Sequence, residues 1–175
     1  EYSISQVYPT DKHTLAQVDA LLEQEGIQRD GNLDYICAMF DENYKVIGTG
    51  SCFGNTLRCM AVSSAHQGEG LMNQIVTHLI SVQFERGNTH LFLYTKCNSA
   101  KFFGDLGFYE IARIDGQIVF MENRKTGFSA YLERLKKESE QSEVMKRFTS
   151  DNTQILSETS SETQKDLRIA ALVMN

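Results

Sequence analysis

Apolar residues at Leu15, Val18, Leu21 and Leu22 recur at three- and four-residue steps, the spacing of one helix face, with Thr10 placed to cap the start and Gly26 to end it. The period then shortens. Leu33–Phe40 and Tyr44–Phe53 are rich in β-branched and aromatic residues and flank the turn formers Asp41-Glu42-Asn43, which predicts a hairpin. Gly54-Asn55 turns the chain into a third strand, Thr56–Val62, after which polar Ser63-Ser64 and a glycine-containing loop lead into a helix over Glu69–Arg86 that Gly87 stops. A strand over Thr89–Lys96, a short helix over Ser99–Leu106, and strands over Phe108–Asp115 and Gln117–Glu122 joined at Asp115-Gly116 follow. The predicted order is α-β-β-β-α-β-α-β-β.

The pattern beyond residue 125 is different. A helix over 126–148 carries Phe128, Tyr131, Leu132 and Leu135 on one stripe, while its second half is polar all round and reads as solvated. This helix is either a spacer or a homodimer contact. Residues 149–166 have the Ser, Thr, Glu and Asp content of a linker, with Ile155 and Leu156 as their apolar residues. Residues 167–175 then form a nearly continuous apolar run, as in a parallel strand buried on both faces. One strand cannot bury itself, so the expected division is a domain over 1–125, the trailing helix, a polar linker, and the first strand of a second α/β domain.

Composition narrows the function classes. In 175 residues, 41% are hydrophobic and 23% charged, enough apolar material for a core. A net charge of −6 supplies no basic field for phosphate backbones, which argues against nucleic acid. No apolar run approaches membrane-span length, and the N-terminal EYSISQVYPTDK lacks the order of a signal peptide, so the expectation is a soluble, cytoplasmic chain without a membrane partner. Cys37, Cys52, Cys59 and Cys97 form no CxxC pair, and His13, His66, His78 and His90 fall at no metal-ligand spacing. Reduced core thiols and no metal are expected.

The stretch from Thr56 to Met72 is the one that carries chemistry: a strand, a turn with Gly68 and Gly70, and a helix start. Glycines there let main chain approach a ligand, and the first-turn N–H groups with the helix dipole can hold a diphosphate. The same glycines could simply make a tight strand-to-helix turn. The spacing is neither a dinucleotide fingerprint nor a P-loop.

A second stretch, Asn98-Ser-Ala-Lys-Phe-Phe-Gly-Asp-Leu-Gly-Phe108, follows the next strand. Together the two resemble the GCN5-related N-acetyltransferase (GNAT) family, whose loop motif is matched by Gln67, Gly68 and Gly70, and whose later motif is matched by Asn98, Ala100 and Leu106-Gly107-Phe108. The resemblance implies an α/β chain of the α+β type, an acyl-CoA acyltransferase fold with a mixed central sheet flanked by helices. It also implies a coenzyme-A-type ligand. Its diphosphate would lie on Gln67, Gly68, Glu69, Gly70, Leu71 and Met72, its pantetheine arm along Cys59, Met60, Ala61 and Val62, with Asn98 and Phe103 nearby. Met72 stands where the family usually has a small residue, so its side chain either narrows the cradle or points into the core. Phe103 stands where many members place a tyrosine as general acid, and it cannot donate a proton.

The strings RCMAVSSAHQGEGL, FERGNTHLFLYTK and GQIVFMENRKTGFSAYLERLKK, with the terminal RIAALVMN, narrow the resemblance to the N-terminal part of the citrate lyase ligases. In that family an acetyltransferase-like domain precedes a nucleotidyltransferase-like one. The resemblance implies an enzyme that uses ATP to activate acetate, the ATP site lying in the following domain. The acetyl group passes to the thiol of a dephospho-coenzyme-A-like prosthetic group on the citrate lyase acyl carrier subunit. Such a role needs no catalytic tyrosine. A free-standing N-acetyltransferase using acetyl-CoA is the alternative. No catalytic residue is assigned: Glu69 and Glu110 could be bases or merely solvated, His66 could contact a phosphate or simply occupy the turn, and Cys59 could be a thiol nucleophile or a core residue.

Overall fold

Asp11, one residue past the expected cap, starts the first helix. Its carboxylate accepts hydrogen bonds from the Thr14 N–H at 3.1 Å and the Thr14 hydroxyl at 2.7 Å, satisfying a donor that a helix start leaves over. In the computed structural model, which describes residues 2–139, this helix is α1 (Lys12–Gln24), and Gly26, at φ +70°, lies just past its end as the pattern predicts. The chain divides into two compact units between Thr89 and His90.

The first unit opens with a strand absent from the predicted order, β1 (Ser3–Gln6). Mostly polar and exposed, it shows little apolar periodicity, and the main-chain ladder Ser3↔Phe40 to Gln6↔Cys37 holds it. Strands β2 (Tyr35–Phe40), β3 (Val46–Phe53) and β4 (Thr56–Val62) follow, antiparallel throughout and in the order β1-β2-β3-β4. Leu15, Val18, Leu21 and Leu22 of α1 pack with Ile36, Ala38, Val46 and Ala61. Alternate β3 positions Gly48 and Gly50 instead meet α2 (Leu71–Glu85): a β-carbon on Gly50 would sit 2.7 Å from Ile75 Cγ2. Helices therefore cover both faces of these strands.

In the second unit β5 (Phe92–Lys96), β6 (Tyr109–Ile114) and β7 (Ile118–Glu122) run in the order β5-β7-β6, antiparallel, with the predicted turn at Asp115-Gly116. Gly116 takes φ +74° there, a conformation that glycine adopts without steric cost. The short α3 (Ala100–Asp105) lies between β5 and β6, and α4 (Gly127–Ser139) follows β7. Phe92 and Phe120 stack at 5.6 Å between centroids, and Phe128 of α4 meets both edge-on at 6.0 and 5.8 Å, so aromatic packing docks the helix. The remainder of the predicted trailing helix, the linker over 149–166 and the strand over 167–175 lie outside the described residues. No helix among the described residues is long and apolar enough to cross a membrane.

Candidate functional site

The ladder between β3 and β4 breaks at one point. Thr49 faces Ala61 and Ser51 faces Arg58, so Gly50 alone opposes both Cys59 and Met60. This β-bulge puts Cys59 at φ +51° and takes one residue of β4 out of regular pairing. An apolar strand pattern hides such a feature, and the sequence reading treats Thr56–Val62 as regular. Ala61 and Val62 beyond the bulge are buried at 2% and 6%.

Past β4 the chain makes a single 3₁₀ turn at Ser64–His66 and reaches Gly68 and Gly70, both left-handed at φ +87° and +75°. Among the described residues nothing lies within 4 Å of where a β-carbon would stand on either glycine. Gly70 is the N-cap of α2 and offers no side-chain cap, so helix geometry leaves the first-turn N–H groups of Leu71 and Met72 without an intrahelical partner. Leu71 is buried at 3%, while Met72 is half-buried.

Side chains tether this loop within its own unit. The Tyr2 hydroxyl donates to Glu69 Oε1 at 3.0 Å, and the Tyr2 ring meets His66 edge-on at 5.7 Å. The bond to the Glu69 carboxylate pushes the Tyr2 phenol above its ordinary pKa. Gln67 donates to Glu25 Oε1 at 3.2 Å. On β4, Arg58 pairs with Asp30 at 3.2 Å, and the Cys59 thiol lies 3.8 Å from the same carboxylate. Burial pushes the Cys59 thiol upward, which keeps it protonated and disfavours a nucleophilic role.

The structure thus brings Cys59, Met60, Ala61, Val62, Gln67, Gly68, Glu69, Gly70, Leu71 and Met72 into one strand, loop and helix start in the first unit. Asn98 and Phe103 belong to the second. Asn98 is exposed in a 3₁₀ turn after β5, whereas Phe103 is 4% exposed on α3 with its ring edge-on to Phe108 at 6.3 Å. Glu110 is exposed and paired with Arg113.

Sequence reasoning missed one buried pair. His90 Nε2 meets Glu122 Oε1 at 2.7 Å, with Glu122 only 3% exposed. Burial pushes the Glu122 carboxyl up, and the bond to His90 opposes this. The two are 32 residues apart and meet through the β5–β7 ladder, so no local spacing signals them. A cavity of about 330 Å³ opens beside Glu122, Lys125 and Ser129 at the start of α4, and none of the candidate ligand residues lines it.

Residues 2–108 match the acetyltransferase (GNAT) family. The chain belongs to that family. Among relatives of this GNAT domain, the citrate (pro-3S)-lyase ligase of Escherichia coli (strain K12) is 34% identical over 134 residues, which make up 76% of this chain and 38% of that protein. That of Klebsiella pneumoniae is 32% identical over 126 residues, 71% and 36% of the two chains. The match to these ligases thus spans under two-fifths of their length, and it bears out the narrower resemblance to them. Among solved structures, an acyl-CoA N-acyltransferase from Pseudomonas aeruginosa superposes with a TM-score of 0.57 at 14% identity, covering 71% of this chain and 99% of that one. N-acetylglutamate synthase from Neisseria gonorrhoeae, solved with coenzyme A and N-acetyl-glutamate, gives 0.56 at 18% identity, covering 71% and 35%. These likenesses establish the acyl-CoA N-acyltransferase fold that the sequence predicts.

Proposed function

We propose that this GNAT domain is the N-terminal part of a citrate lyase ligase and that it holds a coenzyme-A-type arm, the dephospho-coenzyme-A-like prosthetic group of the acyl carrier subunit. The observation that carries the reading is the uncapped start of α2 behind two left-handed glycines with open space over both. A diphosphate there would take N–H groups from Gly68 to Met72 and the positive end of the helix dipole. The bulge at Cys59 and Met60 supplies main-chain groups outside the ladder for the amide-bearing pantetheine chain. Bound in this way, the arm brings a terminal thiol as acyl acceptor, and the domain's task is to bind, orient and present it. Activation of acetate by ATP is assigned to the part of the ligase beyond this sequence.

The alternative is a free-standing N-acetyltransferase that takes acetyl-CoA to an amine. Phe103 weighs against it, because a buried phenyl ring supplies no proton to a departing thiolate, a service typically worth about 10²–10⁴-fold in rate.

One experiment with two arms separates these readings. Titrating dephospho-coenzyme A into labelled protein should move the backbone amide signals of Gly68 to Met72, and Gly70→Val, which is strained at φ +75° and fills the open cradle, should abolish the response while the amide signals of the sheet stay in place. Amides unmoved at millimolar ligand would remove the binding site. In the second arm, thiol release from acetyl-CoA over a panel of amines should stay at background. Robust turnover would promote the acetyltransferase reading.

A further inference from the structure

Glu69 is an awkward neighbour for a phosphate site. It directly precedes Gly70, the N-cap of α2, so its carboxylate is tethered beside the first-turn N–H groups that the proposed diphosphate would use. Anions are stabilised at helix N-termini, and a tethered one arrives at high local concentration. Left free, Glu69 would compete with the ligand and repel its charge. The sequence has no lysine or arginine between Arg58 and Arg86 to offset it.

The structure holds this carboxylate by another contact. The Tyr2 hydroxyl donates to Glu69 Oε1 at 3.0 Å, and the Tyr2 ring is steadied edge-on against His66 at an interplanar angle of 83°. The two residues are 67 positions apart, so the bond is a product of the fold and not of local sequence. We propose that Tyr2 is a positioning residue that restrains the Glu69 carboxylate and so keeps the start of α2 open to the diphosphate of a coenzyme-A-type ligand, an inference that rests on the function proposed above.

Calorimetric titration of the full chain with dephospho-coenzyme A tests this in wild type, Tyr2→Phe, Glu69→Gln and the double variant. Tyr2→Phe removes the hydroxyl and keeps the ring on His66. It should weaken binding by about two- to fivefold, the fold-change that matches the usual effect of one charge at a helix N-terminus. Added salt should shrink that loss, because the competition is between charges. Glu69→Gln should bind more tightly than wild type, and in its background Tyr2→Phe should have no effect. Equal affinity of wild type and Tyr2→Phe, or a Tyr2→Phe loss that persists undiminished without the Glu69 charge, would overturn the role of Tyr2 and leave the ligand site standing. Absence of binding by wild type would overturn the site and this inference together.

Discussion

Gly50 decides how close α2 comes to the sheet. A β-carbon there would lie 2.7 Å from Ile75 Cγ2 and 2.8 Å from Leu79 Cδ1, two contacts shorter than packed carbons allow. Both partners are fully buried and have little room to yield. Gly50→Ala should therefore destabilise the fold by about 1–3 kcal/mol, the usual cost of overpacking, read as a lower urea midpoint. Gly48→Ala should cost less, because one atom comes under 3 Å there, the chain-end Ile75 Cδ1 at 2.6 Å, whereas at Gly50 two side chains do. A midpoint unchanged in Gly50→Ala would mean that α2 does not press on β3 as described. Gly50 also faces the bulge at Cys59 and Met60, so the helix and the part of β4 proposed to line the ligand are set from a single strand position. In the sequence Gly50 is only a glycine in a strand. Which helix it meets depends on contacts 25 and more residues away.

Between elements, the far end of α2 is fixed by a buried amide. Gln83, fully inaccessible, donates to the carbonyls of Gly54 and Thr56 at 2.9 and 3.3 Å and accepts from the Asn88 side chain at 2.9 Å. These bonds tie the helix to the turn between β3 and β4. Gln83→Leu fills the same space but takes a donor from the buried Thr56 carbonyl and the acceptor from the Asn88 side chain, so a loss of about 1–3 kcal/mol in unfolding free energy is expected. Faster exchange of the amides around Gly54 should accompany it, and full retention of stability would show that the tie is dispensable. Most elements were legible because their apolar period is strong: Thr56–Val62 matches β4 to the residue, and Leu15, Val18, Leu21 and Leu22 lie on the buried face of α1. Where local chemistry outweighs period, the expectations slipped. Asp11 displaced Thr10 as cap, Gly70 in the left-handed region moved the start of α2 from Glu69 to Leu71, and β1 rests on main-chain pairing that its polar residues do not announce. The glycine loop was readable as a candidate site, whereas the Cys59 bulge, the Tyr2–Glu69 bond and the His90–Glu122 pair were not. Each of those depends on which residues a strand register or a distant contact brings together.

For the whole molecule, the cysteines link the core to pH. All four are free, and Cys37 and Cys52 are 1% and 0% exposed on the adjacent strands β2 and β3. Burial pushes both thiols up to about 12 from an ordinary 9.0, and burial likewise lifts the Tyr35 phenol to about 12. The native state therefore keeps protons that the unfolded chain gives up. Stability should be unaffected by these groups below about pH 9 and should fall as pH rises toward about 12, because in that window the unfolded state binds fewer protons. Each thiol can contribute up to about 1.4 kcal/mol per pH unit. Urea unfolding under reducing conditions, followed from about pH 8 to about pH 11, should show a midpoint that is level at first and falls above about pH 9. Replacing Cys37 and Cys52 together by alanine would lower the starting stability by leaving space in the core, yet it should flatten the alkaline slope, leaving the part that Tyr35 contributes. A slope as steep in the double variant as in wild type would mean that these thiols ionise as readily in the folded core as in the unfolded chain.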